Sequence, residues 1–144
     1  MFSIIIPTLN NINYLKLCVK SIRNNSNIDH ELIVHVNKGT DGTIEFLKNE
    51  KIKYTYTEYN SGICEGVNLA SKLSTTEYIL YAHDDFYFCP GWDDVLINEL
   101  KNLKNNLFYF SGTMIQNGQV ELDCGNSLDT FNEKKLLTEY KNIK

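Results

Sequence analysis

The feature that most constrains the fold of this chain is the alternation of short strand-forming runs with segments of helical periodicity. The predicted strands cover residues 2–6, 31–36, 54–58, 78–82 and 107–110. A strand that leads through a helix into the next strand pairs parallel to it, with the helix packed on a face of the sheet. The sequence therefore predicts an α/β fold, doubly wound, with a mostly parallel sheet.

Apolar residues at helical spacing mark the connecting segments. In chain order, the predicted helical faces carry Leu15, Cys18, Val19 and Ile22; Ile44 and Leu47; Ile63, Val67 and Ala70; and Trp92, Val95, Leu96, Leu100 and Leu103. The last of these is the strongest amphipathic pattern in the chain. The asparagines at 10–13 offer caps for the first helix, and Thr40 or Asp41 for the second.

The pattern changes beyond Gly112. Asn117-Gly118 lies between two β-prone segments, 113–116 and 119–122, and such a pair predicts a hairpin. A possible capping box, Thr130 with Glu133, precedes a predicted helix that extends to Tyr140. With no linker or repeat, the 144 residues are expected to form one domain, 1–144, with a core at 1–112 and a hairpin and helix at 113–144.

Charge and cysteine content exclude several classes of protein. The net charge is −4 and Arg23 is the only arginine, so nucleic acid is not an expected partner. The four cysteines form no Cys-x-x-Cys pair, which disfavours a zinc site and favours a reducing compartment. No segment approaches 18 apolar residues, so no transmembrane segment is expected. We expect a cytoplasmic protein, free or docked at a membrane through something outside this chain.

The fourth predicted strand ends in the most unusual cluster. Its apolar run, typical of a strand buried on both faces, stops at His83-Asp84-Asp85. Neighbouring carboxylates repel each other, and a hard divalent cation relieves that repulsion. The alternative is that one aspartate caps a turn while the other is solvated.

Polar residues also follow the other strands. In open α/β sheets, ligands bind outside the carboxyl ends of the strands. The residues expected at these ends form four largely polar clusters: Pro7, Thr8 and Asn10; Asn37 and Lys38; Asn60, Ser61 and Gly62; and His83, Asp84 and Asp85. Because loops are polar in any protein, the paired carboxylates are the part of this pattern that general loop polarity explains least well.

Several other chemistries lack their motifs. The sequence contains no P-loop, no Gly-x-Gly-x-x-Gly after a strand and no Gly-x-Ser-x-Gly. The histidines His30, His35 and His83 show no metal-ligand spacing. His35 lies inside a predicted strand and is interpreted as structural, whereas His83 adjoins the carboxylates and is a candidate for the site.

Four segments together resemble the successive blocks of the family 2 glycosyltransferases of the GT-A fold. They are residues 3–10, Thr40-Asp41-Gly42-Thr43, Asn60-Ser61-Gly62 with Asn68, and 77–79 leading to His83-Asp84-Asp85. The resemblance covers residues 2 to about 100. It implies a hexosyltransferase-type enzyme with a nucleotide-diphosphate-sugar donor, a Mn²⁺ or Mg²⁺ ion, and inversion at the anomeric carbon.

The resemblance also implies roles for particular residues. Asp85 would be the metal ligand, with Asp84 contacting the ribose or the metal or its water, although His83 stands where the family often has a further carboxylate. Asn37 ends the second strand, where the family commonly has an aspartate that hydrogen-bonds the base. Other donor contacts would come from Pro7, Thr8, Asn10, Gly62, Asn68 and His83.

The acceptor side is less well marked in the sequence. Transfer needs a base for the acceptor hydroxyl, which the family supplies from a carboxylate well after the metal motif. Asp123, Glu121 and Asp129 are the candidates, with the first two at the hairpin's second arm. One alternative is a non-catalytic sugar-nucleotide-binding module with an incomplete acceptor site, unless an oligomer or partner chain completes it. Another is a nucleotidyltransferase, but the first loop is neither glycine-rich nor basic.

Overall fold

A computed structural model describes residues 1–105, 107–116 and 120–143, and the chain forms two compact units. The first unit comprises Met1–Arg23 and Ile28–Tyr87. The second comprises Asn24–Asn27 and Phe88–Lys144. The predicted Asn117-Gly118 turn lies outside the described residues.

The first unit contains a four-stranded sheet in which every neighbouring pair is parallel. Its strands are β1 (Phe2–Thr8), β2 (Glu31–Asn37), β3 (Lys53–Thr57) and β4 (Tyr78–Tyr81), in the spatial order β3-β2-β1-β4. Three helices connect them: α1 (Ile12–Asn25), α2 (Thr43–Asn49) and α3 (Gly62–Ser71). The predicted α/β fold with a parallel sheet is confirmed.

The core lies on both faces of β1. Successive strand residues point to opposite faces, and Ile4, Ile5 and Ile6 are all fully buried. Each fully buried aliphatic side chain of this kind stabilises the fold by about 1.5–3 kcal/mol. The predicted face of α1, including Leu15 and Cys18, is buried as well. The central strand is therefore held from both sides.

The interpretation of residues 78–82 as a strand buried on both faces was wrong. β4 is an edge strand, and its alternate residues Ile79 and Tyr81 are 52% and 42% exposed. A run of apolar residues predicts that a strand forms there. It does not predict how many strands pair with it, because the apolar pattern carries no information about pairing partners.

The second unit contains α4 (Trp92–Asn102), α5 (Glu133–Glu139) and a 3₁₀ turn (Tyr140–Asn142). The helix predicted at Trp92 is present, but Val95 of its predicted apolar face is exposed. The buried residue of this helix is Asp93, and its Oδ2 accepts from the backbone amide of Asn27 at 2.8 Å. Within the described residues, no helix is long and apolar enough to cross a membrane.

Two further sequence predictions in this unit were wrong. Residues 107–110 form no strand, and Leu107 and Tyr109 are each 93% exposed. Helix α5 is capped by Asn132, whose side chain accepts from the Lys135 amide at 2.9 Å. The Thr130 hydroxyl instead accepts from the backbone amides of residues 126 and 127. Thr130 lies two residues before the capping residue Asn132, too far from the first turn of α5 to cap its backbone amides. Among the described residues on either side of the predicted hairpin turn, Ile115 and Val120 form an isolated bridge, and it is parallel.

Candidate active site

A cleft of about 390 Å³ lies at the carboxyl edge of the sheet, within the first unit. The strands all point the same way, so the segments that follow them converge at one edge. The lining residues are Pro7, Thr8, Leu9, Asn10 and Asn11 after β1, Asn37 at the end of β2, Asn60, Gly62 and Ile63 around the start of α3, and His83 and Asp84 after β4.

Asp84 is held by the loop that follows β1. Its Oδ2 accepts from the Thr8 hydroxyl at 2.6 Å, and its Oδ1 accepts from the Asn11 side-chain amide at 3.0 Å. Hydrogen bonds to a carboxylate are stronger than those between neutral groups. Both oxygens of Asp84 are therefore fixed in direction, and the ends of β1 and β4 are joined through this side chain.

Asp85 has different surroundings from its neighbour. Its side chain is exposed, and no residue within the described ranges hydrogen-bonds its carboxylate. A divalent ion such as Mg²⁺ is commonly bound by one or two carboxylates, with phosphate and water completing its coordination. Asp85 offers hard oxygen atoms that are free for such an ion, with Asp84 beside it. The donor set therefore fits Mn²⁺ or Mg²⁺ brought with a phosphate ligand.

A metal site made by the protein alone is not present in the part of the chain that the structure describes. No group of three His, Cys, Asp or Glu side chains there is arranged to hold an ion. An ion at Asp85 would therefore depend on oxygen atoms of a ligand or of water.

The turn that carries the two aspartates is also held from below. The Cys18 thiol of α1 lies 3.6 Å from the His83 carbonyl, to which it donates. Burial, aided by the charges of Asp84 and Asp85, raises the pKa of Cys18 to about 12. The thiol consequently keeps its proton and remains a donor. The His83 ring packs between Tyr81 and Phe86, and its Nε2 lies 2.9 Å from the Tyr81 hydroxyl.

Asn37 is buried at the end of β2 and fixes the next loop. Its Oδ1 accepts from the Ser61 amide at 2.9 Å and from the Ser61 hydroxyl at 2.8 Å. A backbone N–H can only donate, so the side-chain atom facing it must be the oxygen. With that oxygen occupied twice, the Nδ2 amino group is the donor that Asn37 can offer to a ligand.

The turn before α2 is fastened to the start of α1. Asp41 accepts from the Ile12 amide at 2.9 Å and from the amide and hydroxyl of Thr43. Burial opposes ionisation of Asp41, but these hydrogen bonds outweigh it and hold its pKa below the ordinary value. Asn10, at φ 50°, accepts from the Thr40 amide at 2.8 Å. Asp41 therefore caps the α1 amide that the sequence assigned to the local asparagines.

The structure brings most of the predicted site residues together. Those that line the cleft are Pro7, Thr8, Asn10, Asn37, Gly62, His83 and Asp84. Asp85 follows directly in the chain. Asn68 is exposed further along α3 and is not a lining residue. Glu121 and Asp123 belong to the second unit, where Asp123 Oδ1 accepts from the Gly125 amide at 2.9 Å.

Sequence reasoning missed three lining residues: Leu9, Asn11 and Ile63. Asn11 was interpreted only as a helix cap, although it binds Asp84. Asn60, which the sequence predicts at this edge, is a lining residue, and its Oδ1 accepts from the Gly62 backbone amide at 3.0 Å. The available signal was position, because each of these residues lies within a few residues of a strand's carboxyl end.

Comparison with known proteins gives a family match over nearly the whole chain. The sequence pattern described as "Glycosyl transferase family 2" matches residues 3–140. An uncharacterized glycosyltransferase of Rickettsia bellii (strain RML369-C) is 31% identical over 118 residues, which are 79% of this chain and 16% of that protein. Another from Rickettsia prowazekii (strain Madrid E) is 30% identical over 142 residues, 94% of this chain and 44% of that protein. The chain therefore spans less than half the length of these relatives.

Solved structures share the fold. Residues 1–349 of S. aureus TarS superpose with a TM-score of 0.70 at 19% identity, over 85% of this chain and 38% of that one. The mannosyltransferase PcManGT from Pyrobaculum calidifontis, solved with GDP-Man and Mn²⁺, gives a TM-score of 0.58 at 22% identity over 73% of this chain and 32% of that one.

Proposed function

Because this chain belongs to glycosyl transferase family 2, we propose that it is a metal-dependent glycosyltransferase. It would take a sugar from a nucleotide-diphosphate donor and pass it, with inversion, to an acceptor hydroxyl. The observation that carries the proposal is the contrast between Asp84, which lines the cleft and is fixed by Thr8 and Asn11, and the adjacent Asp85, whose exposed carboxylate has no hydrogen-bond partner among the described residues. The Mn²⁺ and GDP-Man bound by PcManGT support it.

The cleft offers suitable groups for a nucleotide. Leu9 and Ile63 are exposed apolar residues in its lining, and a planar base can pack on such a surface. Asn37 supplies a buried amide at the end of β2. Pro7 and Thr8 form the part of the lining that would lie beneath the nucleotide. These groups recognise the donor by shape and hydrogen bonding.

Asp85 would hold the metal ion, and Asp84 would hold the turn that presents it. The bound ion would act as a Lewis acid that stabilises charge on the departing diphosphate. Thr8 and Asn11 keep the Asp84 carboxylate in one orientation, so the turn is preorganised before a ligand arrives. The chain's own contribution is to fix these oxygen atoms in place.

A base for the acceptor hydroxyl has to come from another part of the chain. Asp84 is the only carboxylate among the described residues that line the cleft, and both of its oxygens are already bonded. Asp123 and Glu121 remain our proposed bases. A second copy of this chain or a partner chain is the other source of the surface that would bind the acceptor.

The same observation favours a second candidate function. Asp84 is the one carboxylate among the described lining residues, and both of its oxygens are already hydrogen-bonded, which also suits a non-catalytic module that binds sugar nucleotides. The two candidates differ in turnover, because the module binds donor and metal but neither hydrolyses nor transfers the sugar.

The first experiment is a thermal-shift panel of UDP, GDP, CDP and ADP sugars with and without Mn²⁺. A ligand that binds only the folded protein raises its Tm. We expect one base to raise Tm in a metal-dependent way. If no nucleotide sugar shifts Tm at any Mn²⁺ concentration, the proposed donor site is wrong.

The cysteines support our proposal of a cytoplasmic location. Cys18, Cys64, Cys89 and Cys124 are all unpaired thiols. Free thiols persist in reducing compartments. Docking at a membrane through another chain remains compatible with this proposal.

A further inference from the structure

His35 lies directly beneath the cleft and is not used by the proposed reaction. It is fully buried in β2, two residues before Asn37. Its Nδ1 lies 2.8 Å from the Thr55 hydroxyl. Its Nε2 lies 3.3 Å from each of two other hydroxyls, those of Thr57 and Ser61.

These contacts determine which ring nitrogen carries the proton. The Thr57 hydroxyl donates to the Tyr59 carbonyl at 2.8 Å, and the Ser61 hydroxyl donates to Asn37 Oδ1 at 2.8 Å. Each hydroxyl has one proton, so both must accept from the histidine. His35 is therefore the Nε2–H tautomer, and its Nδ1 accepts from Thr55.

The ring is also held by helix α3. A Cβ added to Gly66 would lie only 2.5 Å from Cδ2 of His35, so the helix backbone packs directly against the imidazole. Burial lowers the pKa of His35, while the Asn37 side chain and the Glu65 charge on α3 act in the opposite direction. The ring is fixed in position between α3 and β3.

The hydrogen bonds form a directed chain from this ring to the cleft. His35 donates to Ser61, and Ser61 donates to Asn37, whose Oδ1 is thereby turned away from a ligand. We propose that His35 is a positioning residue that, through Ser61, orients the Asn37 amide so that the cleft presents its NH₂ group to a nucleobase. The favoured base edge then carries a hydrogen-bond acceptor, a carbonyl oxygen or an unprotonated ring nitrogen. This inference rests on the proposed nucleotide site.

The test compares two amides at position 35. The side-chain nitrogen of glutamine reaches about as far as Nε2 of histidine, whereas that of asparagine reaches only about as far as Nδ1. His35→Gln therefore preserves the donor to Ser61 and His35→Asn removes it. Calorimetric titrations with UDP, GDP, CDP and ADP in Mn²⁺ measure the effect, and inorganic pyrophosphate in Mn²⁺ is the ligand without a base.

We expect His35→Asn to weaken the preferred nucleoside diphosphate about five- to tenfold, the effect of about one hydrogen bond. Pyrophosphate affinity should not change, and His35→Gln should restore the nucleotide affinity to within about twofold of wild type. Ser61→Ala keeps the backbone amide but breaks the chain, and should give the same selective loss. It serves as the test if His35→Asn does not fold.

Three results would overturn the role of His35. The first is an equal loss of nucleotide affinity in His35→Gln and His35→Asn. The second is a loss of pyrophosphate affinity in His35→Asn as large as its loss of nucleotide affinity. The third is an unchanged nucleotide affinity in both His35→Asn and Ser61→Ala. Failure of the wild-type protein to bind any nucleoside diphosphate is a separate result, because it overturns the proposed function itself.

Discussion

Asp84 and Asp85 are adjacent in one turn but have different surroundings, and we propose different roles for them for that reason. Thr8 and Asn11 occupy both oxygens of Asp84, whereas the carboxylate of Asp85 is exposed. The sequence identified the pair as a candidate cation site from charge repulsion alone. It could not show which aspartate was fixed, since Thr8 precedes Asp84 by 76 residues and only the fold brings them together.

Replacing Asp85 with asparagine tests its proposed role as the metal ligand. We expect Mn²⁺-dependent binding of a nucleoside diphosphate to weaken, and the rate of any sugar transfer to fall by on the order of a hundredfold, as when one electrostatic stabiliser of the transition state is removed. Calorimetric titration measures the binding. Asp29→Asn makes the same charge change at an exposed position and is the control. Undiminished Mn²⁺-dependent binding in Asp85→Asn would contradict the assignment.

At the scale of the elements, the Glu31 carboxylate forms hydrogen bonds with residues at or near the starts of the other strands. Glu31 at the start of β2 accepts from Lys53 at the start of β3, from Ser3 in β1, and from the amide and hydroxyl of Thr75 before β4. Burial opposes ionisation, but the hydrogen bonds from Lys53, Ser3 and Thr75 lower its pKa from 4.5 to about 2. This cluster lies at the sheet edge opposite the cleft.

The lowered pKa makes the stability of the sheet dependent on pH. The folded protein binds the Glu31 proton more weakly than the unfolded chain, so this stabilisation is complete above about pH 4.5 and is lost as the pH falls toward 2. We expect Glu31→Gln to lower the free energy of unfolding by roughly 2–3 kcal/mol at pH 7 and by much less near pH 2. Urea unfolding of the wild type and the variant between pH 2 and pH 7 measures the free-energy difference at each pH, and Glu58→Gln, at an exposed position, is the control. A loss that does not vary with pH would show that the charge is not responsible.

Helix α3 lies close to β2 because Gly66 has no side chain. A methyl group there would lie 2.5 Å from the His35 ring. Gly66→Ala should gain about 1 kcal/mol of helix propensity but lose about 1–3 kcal/mol through overpacking, so a net loss of stability is expected. Chemical denaturation measures it. Gly112→Ala, whose added Cβ would contact nothing within 4 Å, should change stability by less than about 0.5 kcal/mol. A stabilised Gly66→Ala variant would show that the ring can move aside.

Most of the fold could be predicted from periodicity, and the exceptions have a common cause. The four parallel strands and the helices after them follow from the alternating pattern. Residues 107–110 have a strand-like composition but make no strand, because a strand needs a partner and composition does not provide one. The same limitation hid the edge position of β4. The Asp41 contact with α1 was missed because it joins distant loops.

At the scale of the whole molecule, the residues proposed for donor binding are concentrated in one part of the chain. Every residue that lines the cleft belongs to the first unit. The match to this chain also covers only 16% and 44% of the length of two of its Rickettsia relatives.

The location of the cleft within the first unit leads to a prediction about the reaction. Donor binding needs the cleft and an ion, both of which the first unit can provide, whereas transfer also needs a positioned base and an acceptor wall. Water can enter a site that is not closed over its ligand, and it can then take the sugar in place of an acceptor. We expect slow, Mn²⁺-dependent hydrolysis of the donor to exceed transfer to free glycans. The measurement compares free-sugar release with glycan product for the preferred nucleotide sugar, with Asp85→Asn as the inactive control. Fast transfer that survives both Asp123→Asn and Glu121→Gln would refute our proposed bases, whereas donor binding with neither hydrolysis nor transfer would favour the non-catalytic module.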